Sequence, residues 1–303
     1  EPAPSSQSAS LAFAVDPEGN PLWLIDREWL IGHGASFTQL AQPDIVARFD
    51  ADGTGRWLPL VQGSGPLTAA AGFADQGEVV IKARQASDLL GATKMDRPEW
   101  LAIDAQSGWV YCTLTNNSQR GAPGRPAVDG ANPRANNTMG QIIRWKDQGD
   151  FSGEAFQWNH LLLAGDPANE RGEAKGNVRG DPFAGPDTIA FDTRGMLWIG
   201  TDHSANGEGE VARMGNNALM ACNPVSGEVR RFLVGPMNCE LTGATWAPDG
   251  RTMFVNIQHP GSGSPRDGSA PRRFSNWPDF RADGRPRSAT LVIRKDDGGV
   301  IGS

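Results

Sequence analysis

Arg97 and Glu99, two residues apart across Pro98, are the pair in this chain best equipped for chemistry. A guanidinium grips anionic oxygens with parallel hydrogen bonds, and a carboxylate ligates a hard cation. Side by side they could hold a phosphate and a metal ion together. Pro98 disfavours the helical region for Arg97 and predicts an extended backbone there. Residues i and i+2 of an extended chain face the same side. The competing reading is a surface ion pair beside a strand, which does little.

Two further acids share the position of Glu99. Asp187, in Gly185-Pro186-Asp187-Thr188, and Glu240, in Asn238-Cys239-Glu240-Leu241, each lead into an apolar run, as Glu99 leads into Trp100-Leu101-Ala102-Ile103. An isolated buried charge is costly, so each acid must be paired, solvated or metal-bound. The register match predicts a shared acidic centre; a structural acid at the start of each strand is the rival reading. Oxygen-rich ends follow the partner runs: Thr115-Asn116-Asn117, Thr201-Asp202-His203, and Asn256 through Gln258-His259. Calcium takes about six to eight oxygen ligands from such groups. Asn117 and Asp202 therefore join the candidate ligands, with turn capping as the alternative.

The elements that must position these residues read as short strands. Apolar runs bounded by Gly, Asp, Asn and Pro recur from Leu11–Val15 and Pro21–Ile25 to Thr290–Ile293, with Val79–Ala83 among them and one helical turn at Ala86–Gly91. A repeat stands out: LAIDAQSGWVYCTLT from Leu101, IAFDTRGMLWIGTD from Ile189 and ATWAPDGRTMFVNIQH from Ala244, with a weaker copy from Val46. Each is strand, tight turn, strand, and Asp249-Gly250 is a strong hairpin signal. Propeller blades take about 40–45 residues each. The matching apolar positions favour an all-β propeller over a sandwich. Three polar connections, Ser118–Gly140, Gly165–Pro186 and Pro260–Arg287, exceed the usual ceiling of about 12–15 residues. They are expected to be functional or disordered, and could wall a pocket at one mouth. They carry no helix signals, so no separate second domain is expected. The start EPAPSSQSAS reads as a processed end or interior linker, which divides the chain into an N-terminal segment, 1–36, and the propeller part, 37–303.

Composition excludes several classes. The net charge is −7, with no basic face for nucleic acid. No apolar run is long enough to span a membrane. Cys112, Cys222 and Cys239 lack metal-finger spacing and are odd in number. The four histidines lack zinc spacing; His160 reads as structural, while His203 and His259 read as loop residues at the channel mouth. There is no nucleophile elbow, P-loop or dinucleotide fingerprint.

GATKMDRPEW (91–100), VYCTLTNN (110–117), GPDTIAFDTRGMLWIGTD (185–202), CELTGATWAPDGRTMFVNIQHPG (239–261) and RPRSATLVIRKDDGGVIGS (285–303) resemble the PhoX-type alkaline phosphatases. The resemblance runs from about Phe37 onward and covers the C-terminal half of a family pattern about twice as long. It implies a β-propeller enzyme hydrolysing small phosphate monoesters with calcium and iron, exported to the periplasm or beyond and monomeric at full length. Carried over, Arg97 becomes a phosphate-binding residue and Glu99 a metal ligand, with Asp187, Asp202 and Glu240 at the family's acidic positions. The upstream half of the pattern, with a thiolate and further ligands to iron, has no counterpart here, so the propeller is expected to be incomplete. A calcium-dependent propeller lactonase and a non-catalytic propeller fragment are the alternative readings.

Overall fold

The structure is a computed structural model. It describes two short strands near the N-terminus and residues 45–149, 153–204, 209–265 and 267–303. The chain divides into two compact units, residues 1–46 with 59–90, and residues 47–58 with 91–303.

In the first unit, strands β1 (Ala14–Val15) and β2 (Pro21–Leu22) pair antiparallel. Two helices follow, α1 (Gln76–Ile81) and α2 (Ala83–Leu90). The Val79–Ala83 run, expected as a strand, is therefore helical. Asp75 caps α1 by accepting a 2.9 Å hydrogen bond from the Glu78 amide, a local signal that outweighs the β preference of Val79 and Val80. Leu60, Leu67, Phe73, Val79 and Ala86 form the core of this unit.

The second unit is built from strands. β3 (Ile45–Phe49) and β4 (Thr54–Pro59) lead into β5 (Pro98–Ile103), β6 (Val110–Leu114), β7 (Gln141–Asp147) and β8 (Ala155–Leu163). These six make one sheet in the order β3-β4-β8-β7-β6-β5. β9 (Arg179–Gly180), β10 (Pro186–Phe191), β11 (Leu197–Thr201), β12 (Ala218–Cys222) and β13 (Glu228–Val234) make a second, ordered β10-β11-β12-β13-β9. β14 (Glu240–Trp246), β15 (Thr252–Gln258) and β16 (Ala289–Arg294) make a third. The three repeats of the sequence are the antiparallel hairpins β5–β6, β10–β11 and β14–β15.

Side-chain alternation stacks the sheets. Along β6, Val110, Cys112 and Leu114 face one core with Trp145, Phe156 and Trp158. Tyr111 faces the other way, into a core shared with Ile189, Ile199 and Met220 of the second sheet. The second sheet meets the third through Trp198, Leu219, Leu241, Met253 and Val255. The leading strands β5, β10 and β14 thus lie next to one another, each heading its sheet, in a propeller-like all-β arrangement. Two threonines bolt them. Thr113 Oγ1 donates to the Asp187 carbonyl at 2.5 Å, and Thr188 Oγ1 donates to the Leu241 carbonyl at 3.4 Å. Close approach depends on Gly200, where a Cβ would stand 2.1 Å from the Leu241 carbonyl oxygen.

The long connection 118–140 is ordered by buried charge. The Arg120 and Asp96 side chains, 1% and 0% exposed, pair at 2.8 Å. Arg134 donates to the Ala164 carbonyl at 2.7 Å and also to that of Gly140.

Candidate metal and phosphate site

The three leading strands carry the three register-matched acids: Glu99 on β5, Asp187 on β10 and Glu240 on β14. The β5–β6 ladder is irregular between Pro98 and Leu101, and the β10–β11 ladder between Pro186 and Ile189. Glu99 and Asp187 both sit in these breaks. Bulges of this kind re-aim side chains and are common beside functional sites.

The acids sense one another. Burial pushes the Asp187 carboxyl up to about 7, and the negative charges of Glu240, Glu99 and Asp202 push in the same direction. Only a 3.3 Å hydrogen bond from Thr115 Oγ1 opposes them. Glu240 is also raised, first by burial and then by Asp202, against the help of His259 and Gln258. Glu99, Glu240 and Asp202 therefore crowd Asp187 with negative charge, answered only by Arg97 at Glu99 and by His259 at Glu240, an excess that a cation would relieve.

Within it, one ligand atom each from Asp202, Glu240 and His259 lie within 4.8 Å of one another. Glu240 Oε2 is 3.4 Å from His259 Nε2. Asp202 follows β11 and His259 follows β15, so neighbouring hairpins supply the group. Oxygen donors with one imidazole suit a hard or borderline divalent ion. His203 is buried and its imidazole is pushed down to about 4 by desolvation.

Arg97 departs from the extended backbone expected of it. Its φ is +50°, in the left-handed region. Its amide donates to the Met95 carbonyl and its carbonyl accepts from the Thr115 amide, so a tight turn outweighs the preference set by Pro98. The guanidinium still reaches Glu99 Oε1 at 2.9 Å, and Asn116 Oδ1 at 3.3 Å. Both Arg97 and Glu99 are exposed, which leaves further guanidinium N–H groups for an incoming anion.

Asn117 belongs to another network. Its Nδ2 donates to Asp96 Oδ1 at 2.9 Å, and its Oδ1 accepts from the Gln119 amide. That network, with Arg120 and Asn137, anchors the 118–140 connection. The sequence reading missed it; the signal available was the density of Asn and Arg in a long connection. The three thiols are free and buried, and desolvation pushes each up to about 12.

The family described as Alkaline phosphatase PhoX matches residues 42–261. Among solved structures, Pseudomonas fluorescens PhoX in complex with vanadate, a transition state analogue, is similar with a TM-score of 0.77 and 42% identity. The match covers 85% of this chain and 45% of that one, so this chain spans less than half of that relative's length. Two gluconolactonases match weakly. PpgL of Pseudomonas aeruginosa has 10% identity, 55% and 38% of the chains covered and a TM-score of 0.28. XC5397 of Xanthomonas campestris has 11% identity, 56% and 57% covered and a TM-score of 0.29. No curated protein sequence matches. With 220 consecutive residues inside the family pattern, the chain belongs to the alkaline phosphatase PhoX family.

Proposed function

We propose that this chain contributes one wall of a metal-dependent site hydrolysing phosphate monoesters. The observation that carries the reading is the Arg97–Glu99 pair at the edge of a carboxylate group drawn from three sheets. Arg97 binds the phosphate oxygens through N–H groups not used by Glu99 and Asn116, and stabilises the charge that develops on them. Glu99 orients the guanidinium. The turn at Arg97 fixes the direction of approach.

Glu99, Asp187, Asp202 and Glu240 are the proposed ligands, and the oxygen-rich donor set fits calcium. When bound, such cations neutralise the phosphate oxygens and polarise an attacking oxygen. Iron belongs to the same reading through the family resemblance, with His259 as the softest donor near the carboxylates. Small phosphate esters are the proposed substrates, and export to the periplasm or beyond the proposed location. Among the described residues, no helix is long and apolar enough to cross a membrane.

The test is release of phosphate from an aryl phosphate by the cation-loaded protein and by Glu99→Ala. Unchanged activity in Glu99→Ala would remove Glu99 from the site. A calcium-dependent lactonase could use the same carboxylates, but it gives Arg97 no task.

A further inference from the structure

Asn217 immediately precedes β12, is 1% exposed and uses each end of its side-chain amide twice. Its Oδ1 accepts from Thr201 Oγ1 at 2.8 Å and from the His203 amide at 3.0 Å. Its Nδ2 donates to the His203 carbonyl at 2.9 Å and to the Cys239 carbonyl at 2.6 Å. Thr201 Oγ1 in turn accepts from the Ala218 amide at 2.9 Å, which fixes the hydroxyl that anchors Oδ1. Two of these bonds fall on peptide units that carry proposed cation ligands. The His203 amide belongs to the unit that follows Asp202, and the Cys239 carbonyl to the unit that precedes Glu240. A planar peptide unit held at one atom restricts rotation at the adjoining Cα, and so the direction in which that side chain leaves the backbone.

We infer that Asn217 is a positioning residue of the proposed cation group: it holds the carboxylates of Asp202 and Glu240 at ligating distance across the junction of two sheets. The inference rests on the cation reading above. Asp202 follows a strand of the second sheet and Glu240 opens the third, yet their ligand atoms lie within 4.8 Å of each other and of that of His259. The amide of Asn217 has two acceptor and two donor positions, all of them filled, so it acts through its neighbours and not as a ligand. Leucine has nearly the shape of asparagine but none of these positions, and aspartate lacks the donors. An amide that only closed the connection into β12 would cost stability when lost and leave a bound cation unchanged.

Cation binding and stability are measured separately. Calorimetry with calcium reads affinity, and the decay of terbium luminescence in light and heavy water counts the water molecules on a bound hard ion. Asn217→Ala is expected to weaken calcium binding about 10–100-fold, the range for loss of an outer partner of a metal ligand. It should also admit about one more water, as a carboxylate withdraws from an ion that keeps its coordination number. Thr201→Val keeps the shape of threonine and removes only the Oγ1 anchor. It should move both readouts in the same direction by less, and it decides the matter if Asn217→Ala does not fold. Phe156→Leu, in the core of the first sheet, should lower the thermal midpoint and leave affinity and water count unchanged. Unaltered protein that binds neither ion overturns the cation reading and the role of Asn217 with it. Binding by the unaltered protein, with the same affinity and water count in Asn217→Ala and Thr201→Val, overturns the positioning role alone. An equal loss in Phe156→Leu also overturns it, because affinity would then merely follow stability.

Discussion

Arg97 Nη2 donates a 2.9 Å hydrogen bond to Glu99 Oε1 from a residue whose own backbone is left-handed. Non-glycine residues in that region are uncommon, and they persist where the surroundings over-determine them. The carbonyl of Arg97 is pinned by the Thr115 amide, so the pair is held by a turn. Loss of the guanidinium in Arg97→Ala should lower aryl phosphate turnover by about 10²–10³-fold, as for removal of one preorganised donor. Arg97→Lys should recover little, since an ammonium lacks the planar fork. Steady-state kinetics on aryl phosphates and on a lactone check this. Retained lactone turnover in Arg97→Ala would favour the lactonase reading.

Cation removal should silence the site. Dialysis against a chelator is expected to abolish phosphate release, and added calcium to restore at least part of it. Elemental analysis of the purified protein accompanies the assay. Protein with neither calcium nor iron, and no response to either, would favour a binding module over an enzyme.

The charge state of Asp187 predicts a pH dependence in the cation-free protein. Its carboxyl titrates near 7 when folded and near 3.8 as a model group. Between those values the folded state holds the extra proton. The stabilisation is therefore complete below the lower value and is lost as pH rises through about 7. His203, pushed down to about 4 from 6.5, acts in the opposite sense at lower pH. His160 is depressed as well, so both histidines add stability as pH rises through the ordinary histidine range. The informative quantity is therefore the difference in thermal midpoint between chelated protein and Asp187→Asn, which should fall as pH rises from about 5 to 8. A difference that is constant or rises across that range would contradict the raised carboxyl.

Breaking the buried Asp96–Arg120 pair should be costly. Asp96→Ala leaves the Arg120 guanidinium, 1% exposed, with only its longer 3.7 Å contact to the Asp129 carboxylate, and also frees Asn117 and Asn137. A loss of about 3–5 kcal/mol is expected for one partner of a buried pair. Denaturant unfolding measures it. A loss below about 1 kcal/mol, the range of exposed pairs, would show that the network is not what orders residues 118–140.

Much of the strand order was legible because the hairpin repeat is local. The β5–β6, β10–β11 and β14–β15 turns carry their own Asp and Gly signals, and the acids ahead of them could be counted in register. β8 was missed although Phe156 and Trp158 alternate along it. Asn159 and His160 interrupt its apolar pattern, and the structure satisfies that imidazole with the Ala131 carbonyl at 3.1 Å. Val79 was misread because the cap at Asp75 outweighed side-chain preference. What sequence could not supply was distance between sheets. The approach of β11 to β14 at Gly200, the Thr113 and Thr188 bolts, and the bonding of Asn117 to Asp96 all depend on contacts between residues far apart in the chain.

The carboxylates of Glu99, Asp187 and Glu240 stand on three different sheets, and among the described residues no hydrogen-bonded ladder joins one of these sheets to another. Their spacing is therefore set by packing and by the Thr113 and Thr188 hydrogen bonds, and their mutual repulsion works against both. A cation at the centre would act as a rivet. Free ion concentration would then tune mechanical cohesion, with about 2.7 kcal/mol gained at a hundred times the dissociation constant. On the proposed reading, a drop in the ambient cation would loosen the sheets and weaken the proposed hydrolysis together, coupling the lifetime of the protein to the medium around it.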